Sequence, residues 1–418
     1  MLFFPGPRSA TGDDVLELHV HGGPATVRAV LAAVPRSCLS ANVRHAEPGE
    51  FTRRAFLNGR LDLAQVEALA DTLAAETERQ RRAAVRGRAG TLSRTYDGWR
   101  GQLLQARGEL EALIDFSEDH DFADAAGDAA LLAAVDARVA ALMTAIETHE
   151  AAARRGELLR RGLRVALLGP PNAGKSSLLN RLAGRDAAIV SAAAGTTRDV
   201  VEVRLDVDGF LCTVADTAGL RAADRAGDIE LEGIRRAKAH GRAADVVVAL
   251  TSVERAAAAA SWHIRYDADA LRIAARAPKF LVAVNKADLL PPATLAPLLA
   301  DFTAAAVPPG AVAVLPISCV ATVDDDGNMR RLVDGLAAAA RHLTTADLDD
   351  HALLAVSERQ RQLLAACRGH CDAYRAAAPA DVVVAAEHLR AAADSLARIT
   401  GRGGGGDVEE VLGVVFEK

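Results

Sequence analysis

Residues 163–184, "LRVALLGPPNAGKSSLLNRLAG", decide the fold of the central part of the chain. The first residues are mostly apolar, as in a strand buried in a sheet, and the last have the apolar spacing of a helix. Between them, "GPPNAGKSS" at 169–177 matches the pattern G-x-x-x-x-G-K-S. Because such a loop between a strand and a helix directs backbone N–H groups at phosphate oxygens, the stretch predicts a P-loop nucleotide-binding domain.

Short apolar runs continue on the C-terminal side of this loop. They are "FLCTVADTAG", "ADVVVALT", "KFLVAVNKAD" and "AVAVLPIS", and helical segments separate most of them. Alternation of buried strands with helices is typical of a parallel sheet that carries helices on both faces. We therefore predict an α/β P-loop GTPase domain with a Ras-like parallel sheet over residues 161–343.

The segments that flank this domain have helical periodicity. An apolar stripe from Val85 to Leu113 predicts one long helix, and a second stripe runs from Leu132 to Ile146. Similar spacing returns after residue 343. We expect an all-α helical domain in two parts, residues 61–160 and 344–418, with the α/β domain inserted between them.

Residues 1–60 mix the two kinds of pattern. "VLELHVHGG" alternates like a strand and ends at a glycine turn, and "ATVRAVLAAV" has the spacing of a short helix. The segment predicts a partial α+β amino-terminal domain.

The composition narrows the class of protein. Half of the 418 residues are apolar, and a formal net charge of −6 argues against a chain that coats nucleic acid by itself. The five cysteines have no disulfide-like spacing, which fits a reducing compartment. The sequence has neither the pattern of a signal peptide nor an uninterrupted apolar run of about 18 residues. We expect a cytoplasmic protein without a membrane span.

The P-loop and two later motifs supply candidate phosphate and magnesium contacts. Lys175 is expected to reach the β- and γ-phosphate oxygens and Ser176 to bind Mg²⁺. In "SAAAGTTRD", 191–199, Thr197 is the expected second magnesium ligand. In "DTAG", Asp216 is expected to bind Mg²⁺ through water, and the Gly219 N–H to contact the γ-phosphate. The full candidate set is Asn172, Ala173, Gly174, Lys175, Ser176, Ser177, Ser191, Ala192, Ala193, Ala194, Gly195, Thr196, Thr197, Asp216, Thr217, Ala218 and Gly219.

"NKAD" at 285–288 indicates which base is bound. The carboxylate of Asp288 can accept from N1–H and the exocyclic amine of guanine, whereas adenine lacks both donors in that arrangement. Asn285 can bond the other edge of the base, within the candidate set Asn285, Lys286, Ala287 and Asp288. Ser318 and Cys319, at the end of the last apolar run, can support the base through backbone N–H groups. The nucleotide is therefore predicted to be GTP.

These motifs together resemble the tRNA-modifying GTPase family MnmE (TrmE). Inside the α/β domain the resemblance rests on "PNAGKSSLLNRLAG", "AAIVSAAAGTTRDV", "DTAGLR" and "NKAD". Outside it, "TGDDVLELHVHGGP", the segment at 48–72 that begins "PGEFTRRAFLNGRLDLAQVEALAD", and "LIDFSED" are similar to the family's amino-terminal and helical parts. A GTPase domain inserted into a helical domain is also the layout of that family.

The resemblance implies how hydrolysis proceeds with Leu220 in "DTAGLR", where the best-known small GTPases have a Gln that orients water. In that family a potassium ion takes the place of an arginine finger beside the phosphates and stabilises charge in the transition state, and the same is expected here. The implied potassium ligands are Asn172 and oxygens of Ser191, Ala193 and Thr196.

A Glu downstream of "DTAG" is implied to orient the attacking water, beside Lys175 and Asp216 in the candidate catalytic set. Matching I-E-x-x-G-I places this residue at Glu230. Asp228 is a nearby alternative because "RAADRAGD" is slightly longer than usual, and a solvated carboxylate at a helix start is the structural alternative for Glu230.

The resemblance also implies cofactors and partners outside the GTPase domain. The family's amino-terminal domain binds 5-formyltetrahydrofolate, with Glu17 as an implied contact and Arg60 where a basic residue is expected. An exposed strand carboxylate is the alternative for Glu17. The implied assembly is a homodimer that works with the flavoprotein MnmG (GidA) on the wobble uridine of certain tRNAs.

The ends of the chain differ from the family pattern. The first strands of the amino-terminal domain are not recognised, and the sequence ends "VVFEK" where the family has a C-x-G-K tail. Two alternatives to a modifying enzyme follow from the sequence. One is a GTP-dependent switch in ribosome assembly, and the other is a fragment that hydrolyses GTP without modifying tRNA.

Overall fold

The computed structural model describes residues 1–37, 43–117, 125–184, 202–215, 239–256, 261–320, 326–344, 356–378 and 381–401. Contacts between residues divide the chain into two compact units. The first comprises Met1–Ala74, Ala84–Ala151 and Val356–Lys418, and the second comprises Ala75–Ala83 and Ala152–Ala355. The predicted domain boundaries instead assign residues 75–83, 152–160 and 344–355 to the helical part, and those boundaries remain a prediction.

Among the described residues, two short strands and six helices precede a central region of strands and helices, and two helices follow it. In chain order they are β1 (Leu2–Phe4), β2 (Val15–Glu17), α1 (Pro24–Ser37), α2 (Glu50–Leu57), α3 (Leu63–Ala74), α4 (Glu78–Arg88), α5 (Thr91–Ser117), α6 (Ala125–Arg161), β3 (Leu163–Leu168), α7 (Lys175–Ala183), β4 (Glu202–Val207), β5 (Phe210–Ala215), β6 (Val246–Arg255), β7 (Trp262–Arg265), α8 (Ala268–Ala274), β8 (Lys279–Asn285), α9 (Pro292–Ala306), β9 (Val314–Pro316), α10 (Asp326–Thr344), α11 (Glu358–Ala377) and α12 (Val382–Thr400).

The predicted single helix along the stripe from Val85 to Leu113 is wrong, because two helices cover it. Helix α4 ends at Arg88 and α5 begins at Thr91. Gly90 between them has φ 76, a left-handed conformation that ends a helix and that glycine adopts without a steric penalty. Val85 is 36% exposed, so it does not belong to the buried stripe.

The first unit buries the apolar stripes of α5, α11 and α12. Leu110 of α5 and Leu364 of α11 are fully buried, as is Leu389 of α12. A polar network also holds the unit together. Glu67 of α3 accepts a hydrogen bond of 2.7 Å from Nε of Arg359 on α11, whose other nitrogens donate to carbonyls at the end of α12. Apolar burial and this network together connect three helices that are far apart in sequence.

Helix α6 contains an apolar segment, Gly127–Arg161, long enough to cross a membrane by length and composition, the one such helix among the described residues. Mostly buried core helices of soluble proteins pass the same test, and 22% of the apolar window in α6 is buried. Here Asp136 accepts a 2.9 Å hydrogen bond from Arg375, and Arg138 donates to Glu109 at 3.0 Å. These ion pairs with neighbouring helices, in the first unit, are typical of a helix packed in a bundle.

The second unit is built on a seven-stranded sheet in the order β4-β5-β3-β6-β8-β9, with β7 paired to β6. Strand β3 is parallel to β5 and β6, and β8 is parallel to β6 and β9. Strand β4 is antiparallel to β5 and β7 is antiparallel to β6. The predicted parallel core is confirmed, and two antiparallel strands that the apolar runs do not indicate make the sheet mixed.

Both faces of this sheet are buried, as its apolar strands require. Along β3, Val165 and Leu167 belong to a core with Leu178 of α7 and Leu336 of α10. Leu168 points to the opposite core, which includes residues of α8 and α9. The two cores fix the end of β3, from which the P-loop leaves.

The turn between β4 and β5 is bound by two arginines. Asp208 and Gly209 both have positive φ, as in a tight two-residue hairpin turn. Nε of Arg79 donates to the Asp208 carbonyl at 2.8 Å, and Arg341 donates to the Asp208 carboxylate at 2.7 Å. The Arg79 guanidinium also lies 4.3 Å from the ring centroid of Phe210. Segments distant in sequence thus hold one end of this hairpin.

Candidate nucleotide-binding site

The phosphate loop occupies the carboxyl end of β3 and the start of α7. Gly174 is the residue before the helix, with φ 98, and no side chain caps the first turn of α7. The N–H groups of a first helical turn and the helix dipole favour an anion at that position. The loop therefore has the geometry of a phosphate site.

The side chains of this loop differ in their contacts and in their exposure. The Lys175 ammonium donates to the carbonyls of Gly169 and Pro170, each at 2.9 Å, so it lies over the loop. Ser176 and Asn172 are exposed. Asn172 has φ 64, a conformation that asparagine tolerates better than most residues. Ala173 is fully buried beneath the loop, and Ser177 is exposed on the first turn of α7.

Asn285 joins the phosphate loop, residues 169–177, to the base loop, the NKAD segment at 285–288 that it begins. It is the last residue of β8 and is 3% exposed. Its Nδ2 donates to the carbonyl of Ala173 at 2.7 Å, and its Oδ1 accepts from the N–H of Cys319 at 3.2 Å. One buried side chain therefore brings together three of the sequence motifs.

The rest of the base loop turns outward after Asn285. Lys286 has φ 61, and Ala287–Leu289 form a single 3-10 turn that leaves Asp288 exposed. The N–H of Ala287 donates to the carbonyl of Ile317 at 3.0 Å, which fixes the loop against the strand end that carries buried Ser318. An exposed carboxylate beside a buried amide suits recognition of a base edge.

Two residues beside the base loop are not indicated by the motifs. Ser252 and Glu254 lie at the end of β6, and the Ser252 hydroxyl donates to the Glu254 carboxylate at 3.0 Å. That carboxylate lies 3.8 Å from the ammonium of Lys286. The available sequence signal is the change from apolar to polar residues within "VVVALTSVER".

Several predicted site residues lie outside the described residues. They are Ser191, Ala192, Ala193, Ala194, Gly195, Thr196, Thr197, Asp216, Thr217, Ala218, Gly219, Leu220, Asp228 and Glu230. In the sequence, β4 follows residues 191–197, and β5 comes directly before residues 216–230. Strand β5 is adjacent to β3 in the sheet.

The two implied folate contacts lie in the first unit. Glu17 is exposed at the end of β2, and its carboxylate lies 3.1 Å from Nε2 of His19. Arg60 is exposed after α2, and its N–H donates to the carbonyl of Ala55 at 2.7 Å. Their joint role in a folate site remains a prediction.

A strand, phosphate loop and helix, followed by the buried bridge from Asn285 to Ala173, define the second unit as a P-loop GTPase domain. Comparison with known proteins identifies the family. "MnmE helical domain" matches residues 63–418 and "GTP-binding protein TrmE N-terminus" matches residues 1–60. The chain belongs to the MnmE (TrmE) family of GTPases.

Proteins similar to this chain include two tRNA-modification relatives and one solved structure. The chain is 43% identical over 419 residues to "tRNA modification GTPase MnmE" of Parvibaculum lavamentivorans, covering 99% of this chain and 84% of the relative. It is 40% identical over 422 residues to the human mitochondrial "5-taurinomethyluridine-[tRNA] synthase subunit GTPB3", covering 100% and 80%. A solved structure of Era with MgGDPNP and ribosomal RNA has a TM-score of 0.28 and 24% identity, covering 41% of this chain and 56% of that chain.

Proposed function

We propose that this chain is a cytoplasmic GTPase that, with the flavoprotein MnmG, adds a (carboxymethyl)aminomethyl group to C5 of the wobble uridine of certain tRNAs. The main support for this proposal is the pair of hydrogen bonds by which Asn285 links the phosphate loop to the base loop, in a chain of the MnmE family. The family match extends through both flanks of the GTPase domain, which favours this function over a switch in ribosome assembly.

The described residues support binding and orientation of GTP. Lys175 would move from the loop carbonyls to the β- and γ-phosphates, where its charge offsets that of the triphosphate. The first turn of α7 would donate N–H groups to the same phosphates. Asp288 would accept from two guanine donors, and Asn285 would keep the two loops at a fixed separation.

Ions belong to the same proposal. Ser176 and Thr197 would hold Mg²⁺, with Asp216 bound to it through water. Asn172, with oxygens of Ser191, Ala193 and Thr196, would hold K⁺. The exposed Ser176 and Asn172 at the loop offer oxygen atoms, the donors that hard cations prefer. When bound, these cations supply positive charge to the phosphates in the transition state.

The remaining roles complete the proposed reaction. Glu230 orients the attacking water, with Asp228 as the alternative residue. A folate such as 5-formyltetrahydrofolate binds near Glu17 and Arg60 and supplies the one-carbon unit. Two copies of the chain form a homodimer, in which GTP binding brings the GTPase domains together and hydrolysis releases them.

GTP hydrolysis by the purified chain in potassium and in sodium, at equal ionic strength, tests the ion mechanism. We expect strong stimulation by potassium and its loss in Asn172→Ala. The matched control is Asn180→Ala, an exposed asparagine on α7, which should keep the stimulation. Equal slow rates in both salts would overturn the potassium mechanism while leaving the GTP site in place.

Base recognition is tested with Asp288→Asn. A site built to accept hydrogen bonds from its ligand discriminates strongly against a mismatched partner, so we expect GDP binding to fall by about a hundredfold or more. Xanthosine diphosphate, which presents a carbonyl in place of the amine, should bind the variant better than GDP does. An unchanged preference for GDP would contradict the assignment of Asp288.

A further inference from the structure

Glu254 lies beside the proposed base loop and outside the GTPase motifs. Its carboxylate has three neighbours: the Ser252 hydroxyl at 3.0 Å, the Arg265 guanidinium at 3.5 Å and the Lys286 ammonium at 3.8 Å. The Glu254 side chain is 25% exposed and that of Lys286 is 35% exposed. The carboxylate therefore lies at the rim of the loop, partly shielded from water.

The strands fix this carboxylate relative to the base loop. Ser252 is fully buried, and it is the register partner of Asn285 in the parallel pair of β6 and β8. Glu254 is two residues further along β6, where β7 pairs with it in antiparallel orientation. The Ser252 hydroxyl bonds to Oε1, the same oxygen that faces Lys286. The position of that oxygen is thus determined by the sheet.

Lys286 is the residue that this oxygen can orient. Its φ of 61 sets the direction in which the chain leaves β8, between Asn285 and Asp288. A lysine side chain has many rotamers, and ordering it on ligand binding costs about 0.5–1.5 kcal/mol. A fixed carboxylate at 3.8 Å restricts those rotamers before the ligand arrives.

We propose that Glu254 is a positioning residue of the guanine site, which acts through Lys286 to set the affinity for guanine nucleotides. The inference rests on the proposed function of the base loop. Glu254 has no role in the hydrolysis step itself. GDP and GTP should depend on it equally, because the two nucleotides share the same base.

Equilibrium binding of GDP and GTP to Glu254→Gln tests this proposal. Partly exposed ion pairs contribute little, so we expect both dissociation constants to rise by about three- to fivefold. The KM for GTP should rise by a similar factor while kcat stays the same. The matched control is Arg265→Gln, which removes the other charged partner of the same carboxylate and should leave both constants within about twofold of wild type.

A double-mutant cycle with Lys286→Met separates positioning from a structural effect. In that background Glu254→Gln should cause no further loss of affinity, because its effect passes through Lys286. If the same factor persists in the Lys286→Met chain, or if Glu254→Gln binds like wild type, the proposal is wrong. Should Glu254→Gln unfold, Ser252→Ala provides the second variant, with a smaller loss that again depends on Lys286.

The experiments distinguish an error in the proposed guanine site from an error in the proposed role of Glu254. Asp288→Asn with unchanged guanine preference would overturn the proposed guanine site, and the role of Glu254 with it. A changed preference in Asp288→Asn, combined with wild-type affinity in Glu254→Gln, would overturn the role of Glu254 alone.

Discussion

Replacement of Asn285 by alanine removes the side chain that joins the phosphate loop to the base loop. The amide donates to the carbonyl of buried Ala173 at 2.7 Å and accepts from the N–H of Cys319 at 3.2 Å. The Ala173 carbonyl would be left buried without its donor, which costs about 1–3 kcal/mol. Loss of the longer bond from the Cys319 N–H adds about 0.5–1.5 kcal/mol. We therefore expect the free energy of unfolding of the second unit to fall by about 2–4 kcal/mol.

Thermal unfolding followed by calorimetry measures this loss. For a unit of this size about 1 kcal/mol corresponds to about 2–4 °C, so the midpoint should fall by about 4–16 °C. The same substitution at exposed Asn180 on α7 is the matched control and should change the free energy by less than about 0.5 kcal/mol. An Asn285→Ala midpoint equal to that of Asn180→Ala would refute the bridging role.

Three further outcomes follow from local geometry. Gly174→Ala places a Cβ at φ 98 and in overlap with the Asn285 amide, so isothermal titration should show loss of GDP binding. Burial lowers the pKa of His149 from 6.5 to about 4. As pH falls through this range, the imidazole takes up a proton in the unfolded chain before it does so in the folded chain. The free energy of unfolding should therefore fall as pH decreases from 6.5 to 4, by about 3 kcal/mol in total, and His149→Gln should flatten that part of a denaturant-derived pH profile. Arg79→Met removes the contacts to Asp208 and should lower the free energy of unfolding by about 1 kcal/mol in urea titrations, against near-zero change for exposed Arg272→Met.

The local parts of the site could be predicted from the sequence. The P-loop and the start of α7 depend on residues close together in the chain, so the motif alone places Lys175 and Ser176. The parallel strands follow from continuous apolar runs, since both faces of the sheet are covered. The apolar stripe also correctly predicts that Leu103 and Leu110 of α5 are buried.

Features that depend on distant pairs could not be predicted. Strand β4, "EVRLDV", alternates apolar and charged residues at a sheet edge, so it lacks the continuous apolar run of the central strands. The break at Gly90 interrupts a spacing that looks continuous in the sequence. The placement of Glu254 beside Lys286 requires the register of β6 and β8, which no local pattern contains.

The contact between Glu67 and Arg359 has a consequence for how the protein is made. The two residues are 292 positions apart, and the whole GTPase domain is synthesised between them. At about 5–20 residues per second a ribosome needs about 15–60 s to cover that distance. During this interval α3 and α5 are exposed without the helices that later cover their apolar sides. Because the GTPase domain is inserted between the two parts of the helical unit, a chaperone could bind the exposed apolar surface of α3 and α5 during synthesis. This period ends only when α11 and α12 have been synthesised.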